Sequence, residues 1–358
     1  MNPVSNTARY LKITLVIFCF ITVVVAADTA LWHHVTTRMQ GRIEAEVANL
    51  KATGWSVETG EVRRGGWPFG AWIDIQKPQL RHKNFPAQPF EAGWAGETFR
   101  LGGPWTELVR NGLTVSLPGR QAARIITSSA RATILTEALR LHISEDGTVI
   151  FHAPSAQVAV AMNLVDQTVA LSRPSGRILI QPQASAGATR LGLDVLSSTL
   201  GTSFLNAAKY PLHNAHLVVA LTTSSTHPES PLFSPEGYER LLVQTASFSM
   251  GSEATSAHLS FSGELTYPAL NGHLTLTLLN WHDAAEKILN IPRLQASLAP
   301  DTRVFLEHIL HATPSSGLTE SHPVVAEVSV VNGHAAPALE QLLQTISTQK
   351  IDASHLRE

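Results

Sequence analysis

The chain has 358 residues, enough for one large domain or two ordinary ones, with ample material for a core. Formal net charge is -2, and no long basic stripe is interleaved with aromatics, which argues against nucleic acid as a partner. One cysteine, Cys19, excludes an intramolecular disulfide, and a charged fraction of 15%, against roughly 25% in ordinary soluble domains, points to much buried surface or to an apolar face in use.

At the N-terminus Arg9 and Lys12 precede an uncharged run from Ile13 to Ala27, with Asp28 after it. That order favours an N-in, C-out orientation with the rest of the chain exported. The run can act as a signal-peptide core, with Val25-Ala26-Ala27 as its cleavage site. It can equally remain as an anchor once flanking residues are added, placing Tyr10 and Trp32 where interfacial aromatics sit. The short polar start and the aromatic flanks favour the anchor. The expected layout is therefore residues 1–28 as membrane anchor or signal-anchor, 29–52 as a juxtamembrane helix and 53–358 as an exported domain rich in β-structure.

From 29 to 52, Leu31, Val35, Met39, Ile43, Val47 and Leu50 recur at helical spacing, and Gly54 ends the run. Such a helix would space the body away from the membrane. The period then changes: "GWSVETGEVRRGGWPFGAWIDIQKPQL" reads as two short strands around a turn. Leu139, Leu141 and Ile143 alternate with polar residues before the Asp146-Gly147 turn, and Val149 and Phe151 continue the alternation beyond it. Further strands are expected at "AQVAVAMN", "GRILIQPQ", "AHLVVALTT", "SAHLSFSGEL", "GHLTLTLLNW" and "VVAEVSVVNG". In "GHLTLTLLNW", Leu274, Leu276 and Leu278 share a face opposite Thr275 and Thr277, the pattern of a sheet with one apolar side. "AHLVVAL" is apolar on both faces, one of them Leu217, Val219 and Leu221, and is expected to be the more deeply covered strand. Helical patches are expected near 235–245, 283–289, 301–311 and 337–345. The expected fold is mainly β with peripheral helices, one or more curved or twisted antiparallel sheets following the N-terminal helix. The Ser/Thr/Pro-rich stretch 222–237 is either a sub-boundary or a surface excursion of one sheet.

Motifs for chemistry are wanting. His213 and His216, three apart in an expected strand, should face opposite ways; His308 and His311 could share a helix face, but no HExxH or Cys/His spacing supplies a metal set. No GxSxG elbow, GxGxxG or P-loop is present, and the SxxK spelling of Ser347 and Lys350 stands in a tail with nothing after it. The expectation is no catalytic residue, no metal and no cofactor, hence no enzyme.

One stretch has a recognisable spelling. The N-terminal anchor, the helix closing at "KATG" and the turn Gly66-Trp67-Pro68-Phe69, followed by the run Ala71 to Ile75 and by Pro78, resemble the bacterial envelope family known as domain of unknown function 2125. "ALNGHLTLTLLNWHDAAEKIL" and "VSVVNGHAAPALEQLL" look like its late strand, its Asn-Trp step into a helix and its closing strand. Departures are Gly70-Ala71, where a polar or aromatic residue is common, and His334-Ala335-Ala336, where an apolar-glycine pair is expected. The resemblance implies no activity. Its general pattern is similar to AsmA-like proteins, which hang from the inner membrane and build curved sheets with an apolar groove for lipid.

Two readings of the turn follow. In one, Pro68 fixes the entry angle while Trp67 and Phe69 wedge under the first helix. In the other, the aromatics line the mouth of a groove near the membrane, with Arg63 and Arg64 meeting anionic headgroups. Two readings of the whole follow as well. Leu217, Val219, Leu221, Leu274, Leu276 and Leu278 face lipid acyl chains in envelope maintenance, or the protein is an adaptor for other envelope proteins with a closed, dry core.

Overall fold

A computed structural model describes residues 4–84, 90–108, 112–126, 130–162, 165–202, 212–230, 235–250, 256–280 and 324–335. The expected class holds: the chain is mostly strand, in twisted antiparallel sheets, with one long N-terminal helix. It divides into two compact units, Met1–Glu145 and Asp146–Glu358.

The first unit opens with helix α1 (Val4–Ala52), which runs without a break through the apolar stretch and the expected juxtamembrane segment. Thr53 N–H donates to the Asn49 carbonyl, and Gly54 at φ +89° closes the helix in a conformation that glycine adopts without strain. Strands β1 (Trp55–Glu58), β2 (Val62–Gly65), β3 (Gly70–Gln76), β4 (Gln79–Asn84), β5 (Phe90–Gly96) and β6 (Thr98–Pro104) follow. A short helix α2 (Trp105–Leu108) leads to the long strands β7 (Leu113–Ile126) and β8 (Ala130–Ile143). Strand β7 is where this sheet forks. Its first half pairs with β6, in the order β2-β3-β6-β7, and its second half with β5, in the order β1-β4-β5-β7. The fork falls at Pro118-Gly119, where the register against β8 slips between Leu117 and Arg120 and Gly119 has φ +79°. Buried Gln121 holds the corner by donating through Nε2 to the Pro118 carbonyl at 3.1 Å.

One core cluster of this unit is Leu101, Val115 and Leu117, with Met39 and Ile43 of α1 packed on it, and Ala71, Ile73 and Ile75 of β3 are buried as well. The helix therefore docks on the body of this unit along one face. Its inward face carries Trp32, Val35, Thr36, Met39, Ile43, Val47 and Leu50, while Leu31, expected on that face, is exposed.

In the second unit β9 (Thr148–His152), β10 (Ser155–Met162), β11 (Val165–Ser172), β12 (Ser175–Ile180) and β13 (Thr189–Thr202) precede β14 (Leu212–Thr223). Strands β15 (Tyr238–Met250), β16 (Ala257–Thr266), β17 (Asn271–Leu279), β18 (Val324–Val331) and β19 (His334–Ala335) complete it. The order β9-β12-β13-β14-β15-β16-β17-β18-β19 is antiparallel throughout, and the far end of β13 branches to β11 and thence β10. All six strands expected from alternation are present.

Two expectations change, for the helical patch near 235–245 and for His213 and His216. The helical patch near 235–245 is a three-residue 3-10 turn, Pro235–Gly237, and then β15. Strand neighbours on both sides, β14 and β16, override a pattern too short to favour either period. The stretch 222–237 lies inside the second unit, joining β14 to β15, and the division falls at Glu145/Asp146. His213 and His216 are brought onto one face: a bulge at Asn214, φ 53°, sets them opposite Ser249 and Ser247, two residues apart on β15. The patches near 283–289, 301–311 and 337–345, with His308, His311, Ser347 and Lys350, lie outside the described residues.

Candidate functional site: an apolar sheet face and an aromatic turn

In an antiparallel sheet, residues directly opposite each other point to the same side, so the register turns single-strand alternation into rows across the sheet. One row runs Ile178, Leu193, Val219, Val243, Gly263, Leu274 and Val328. The next runs Val195, Leu217, Ala246, Phe261, Leu276 and Ala326, and a third joins Leu191, Leu221, Leu241 and Leu265. Bulges do not break them, because the one extra residue at Gln244-Thr245 keeps Val243 and Ala246 on the same face. The two groups expected from the sequence, Leu217/Val219/Leu221 and Leu274/Leu276/Leu278, thus belong to one face, joined through residues that single-strand reading had not assigned. Leu193 and Val243 are the links it missed; the alternation in "RLGLDV" was the available signal.

Cover over this face is graded. Leu276 and Leu278 are 7% and 8% exposed, and Leu265, Ala326 and Val328 are buried. Across β13 and β14 the face opens: Leu193, Val219 and Leu221 are half-buried and Leu217 is 37% exposed. From β9 to β18 there are seven strand spacings, about 34 Å at ~4.8 Å each. The reverse side is mixed: Leu179, Val218, Leu242 and Val325 share it with a set of charged pairs. Arg177 Nη2 reaches Asp194 Oδ2 at 3.0 Å, His216 Nε2 lies 3.1 Å from Asp194 Oδ1, and Arg240 pairs with Glu264 at 3.1 Å. Arg177 first, then His216, hold the Asp194 carboxyl below its ordinary pKa against the opposing effect of burial. Among the described residues, no group of three or more His, Cys, Asp or Glu could hold a metal ion.

The turn Gly66-Trp67-Pro68-Phe69 stands at one end of the first unit. Gly66 has φ +102°, a conformation costly to any side chain, and lets the chain fold back so that Gly65 pairs with Trp72. Behind it, Asp74 and Arg100 face each other across β3 and β6 in a two-pronged ion pair of 2.7 and 2.9 Å, with the guanidinium 4.8 Å above the Trp72 ring. Trp67 and Phe69 do not wedge beneath α1: they are 49% and 81% exposed. The residue that joins helix and turn is Trp32, whose Nε1 donates to the Gly65 carbonyl at 2.9 Å. Arg64 also faces the helix, donating to Gln40 Oε1 at 2.7 Å, whereas Arg63 is exposed and paired with Glu61 at 2.7 Å.

Fold and faces define a class: a mainly β protein behind a long helix that, from Thr14 onward, is apolar and long enough to cross a membrane. The chain belongs to the family DUF2125, described as uncharacterized protein conserved in bacteria, whose model matches residues 32–352. No curated protein and no solved structure matches it.

Proposed function

We propose that α1 anchors the protein in the bacterial inner membrane, uncleaved, with both units in the periplasm, and that the apolar face of the second unit holds lipid acyl chains during envelope maintenance. The observation that carries this is the set of apolar rows, partly exposed over β13 and β14, with the ion pairs of Asp194 on the reverse side. An exposed contiguous apolar patch of this extent marks a binding surface, and acyl chains need only apolar contact, which these rows supply without polar anchors. Leu15 to Val25 of α1 are exposed, and the order of Arg9, Lys12 and Asp28 supports the N-in orientation. No catalytic step is proposed. In the second reading, favoured by the buried stretch at Leu276, Leu278 and Val328, the face is dry and the protein recruits other envelope proteins.

Protein shortened to begin at Thr29 keeps the α1 face from Trp32 to Leu50 that packs on the sheet. Expressed in the periplasm and purified without detergent, it is expected to carry phospholipid or fatty acid in native mass spectra. Val219→Asp, at a half-buried position, should abolish the bound mass while leaving the β-sheet circular dichroism intact. A clean apo mass on folded wild-type protein would favour the adaptor.

A further inference from the structure

The end of the first unit nearest the apolar stretch of α1 is aromatic and rigid. Trp32 binds the Gly65 carbonyl on one side of the turn. On the other, Trp105 Nε1 donates to the Pro68 carbonyl at 2.9 Å, and the Trp105 backbone N–H donates to the Phe69 carbonyl at 3.1 Å. Both flanks of the turn are thereby clamped, while the side chains of Trp67 and Phe69 project into solvent. Direction is given by two contacts. Arg64 meets Gln40, the next residue Gly65 meets Trp32, two helical turns nearer the N-terminus, and β2 therefore runs toward the apolar part of α1. The turn that follows lies at the level of Trp32 or beyond it. Leu113, also exposed, begins β7 at the same end, two residues before Val115, which pairs with Leu101.

An exposed Phe held on a clamped backbone cannot fold back to hide, and aromatic side chains favour the boundary between headgroups and acyl chains. We infer that Trp67 and Phe69 insert into that boundary on the periplasmic leaflet of the membrane that α1 crosses. The inference rests on the anchor reading above. Helix and turn then make two contacts with one bilayer, and the second restrains rotation of the first unit about the helix axis. The occupant is a lipid surface because the turn is continuous with the exposed apolar helix that Trp32 terminates, whereas a protein partner would need no such placement.

The test uses full-length protein with Cys19→Ser and Phe69→Cys, the new thiol carrying an environment-sensitive NBD fluorophore. It is reconstituted in 3:1 phosphatidylethanolamine/phosphatidylglycerol vesicles containing a shallow doxyl-labelled lipid. A control label replaces exposed Glu46, about 21 Å beyond Trp32 along the helix axis. Position 69 is expected to show blue-shifted emission and to lose about half of it to the doxyl lipid, as an interfacial site should, with position 46 unquenched. Equal, weak quenching at both positions in protein that floats with the vesicles would overturn the inference and leave the anchor standing. So would a blue shift at 69 that the doxyl lipid does not quench, which would mark a protein contact. Failure to float would remove the anchor reading and this inference together.

Discussion

Gly66 carries the sharpest local demand. A Cβ there would lie 2.6 Å from the backbone of Gly70, in a left-handed conformation that L side chains resist. Gly66→Ala is therefore expected to cost about 1–3 kcal/mol, read as a lower urea midpoint with an unchanged slope. Asp194 makes a different prediction. Its folded-state pKa is depressed, chiefly by Arg177 and then by His216, so its contribution is fully present above the unfolded value of about 3.9 and is lost as pH falls through the lower folded value. Because Arg177 is mostly exposed, solvent screens the pair and the effect is small. Urea midpoints measured across the range below about pH 4 should decline less steeply in Asp194→Asn than in wild type. Gly66 stood out in the sequence as part of a turn, whereas Asp194 did not. A glycine beside Trp-Pro-Phe reads as a turn, but the sign of its φ and the partners of Asp194 depend on strands far away in the chain.

At the scale of elements, α1 and the forked strand β7 decide the first unit. Helical spacing revealed the inward face from Val35 to Leu50, and the docked helix confirms most of it. Leu31 was misplaced by the same spacing, because Trp32 takes the inward position and spends its indole N–H on Gly65. Leu117, in the core on which Met39 and Ile43 rest, is 5% exposed, and Leu117→Ala should cost about 2–5 kcal/mol in the same urea experiment. Trp32→Phe keeps an aromatic side chain but trims the indole and removes its hydrogen bond to Gly65, so its expected cost is about 1–2 kcal/mol, with faster amide exchange in β2 as the more sensitive sign. Period-2 alternation exposed strands such as β10, β14 and β17. It missed β7 and β15, where Pro118-Gly119 and the 244–245 bulge interrupt the period.

Across the whole molecule, the candidate site is a property of register. Each strand showed its own apolar side, yet whether Val219 and Leu274 would meet on one surface depended on a relay of three pairings, Val219 with Val243, Val243 with Gly263 and Gly263 with Leu274, which no local pattern records. Exposure is equally non-local: nothing in "GGWPFG" tells whether its aromatics are covered, and they are not. The central claim, acyl chains on the apolar face, is tested most directly inside cells. A benzophenone amino acid placed at Val219, on the open part of the rows, and at Thr275, exposed on the reverse side, is irradiated in full-length protein, and adducts are analysed for lipid. The account predicts phospholipid or fatty-acid adducts at 219 and not at 275; protein adducts alone at 219, or equal lipid labelling at both positions, would contradict it.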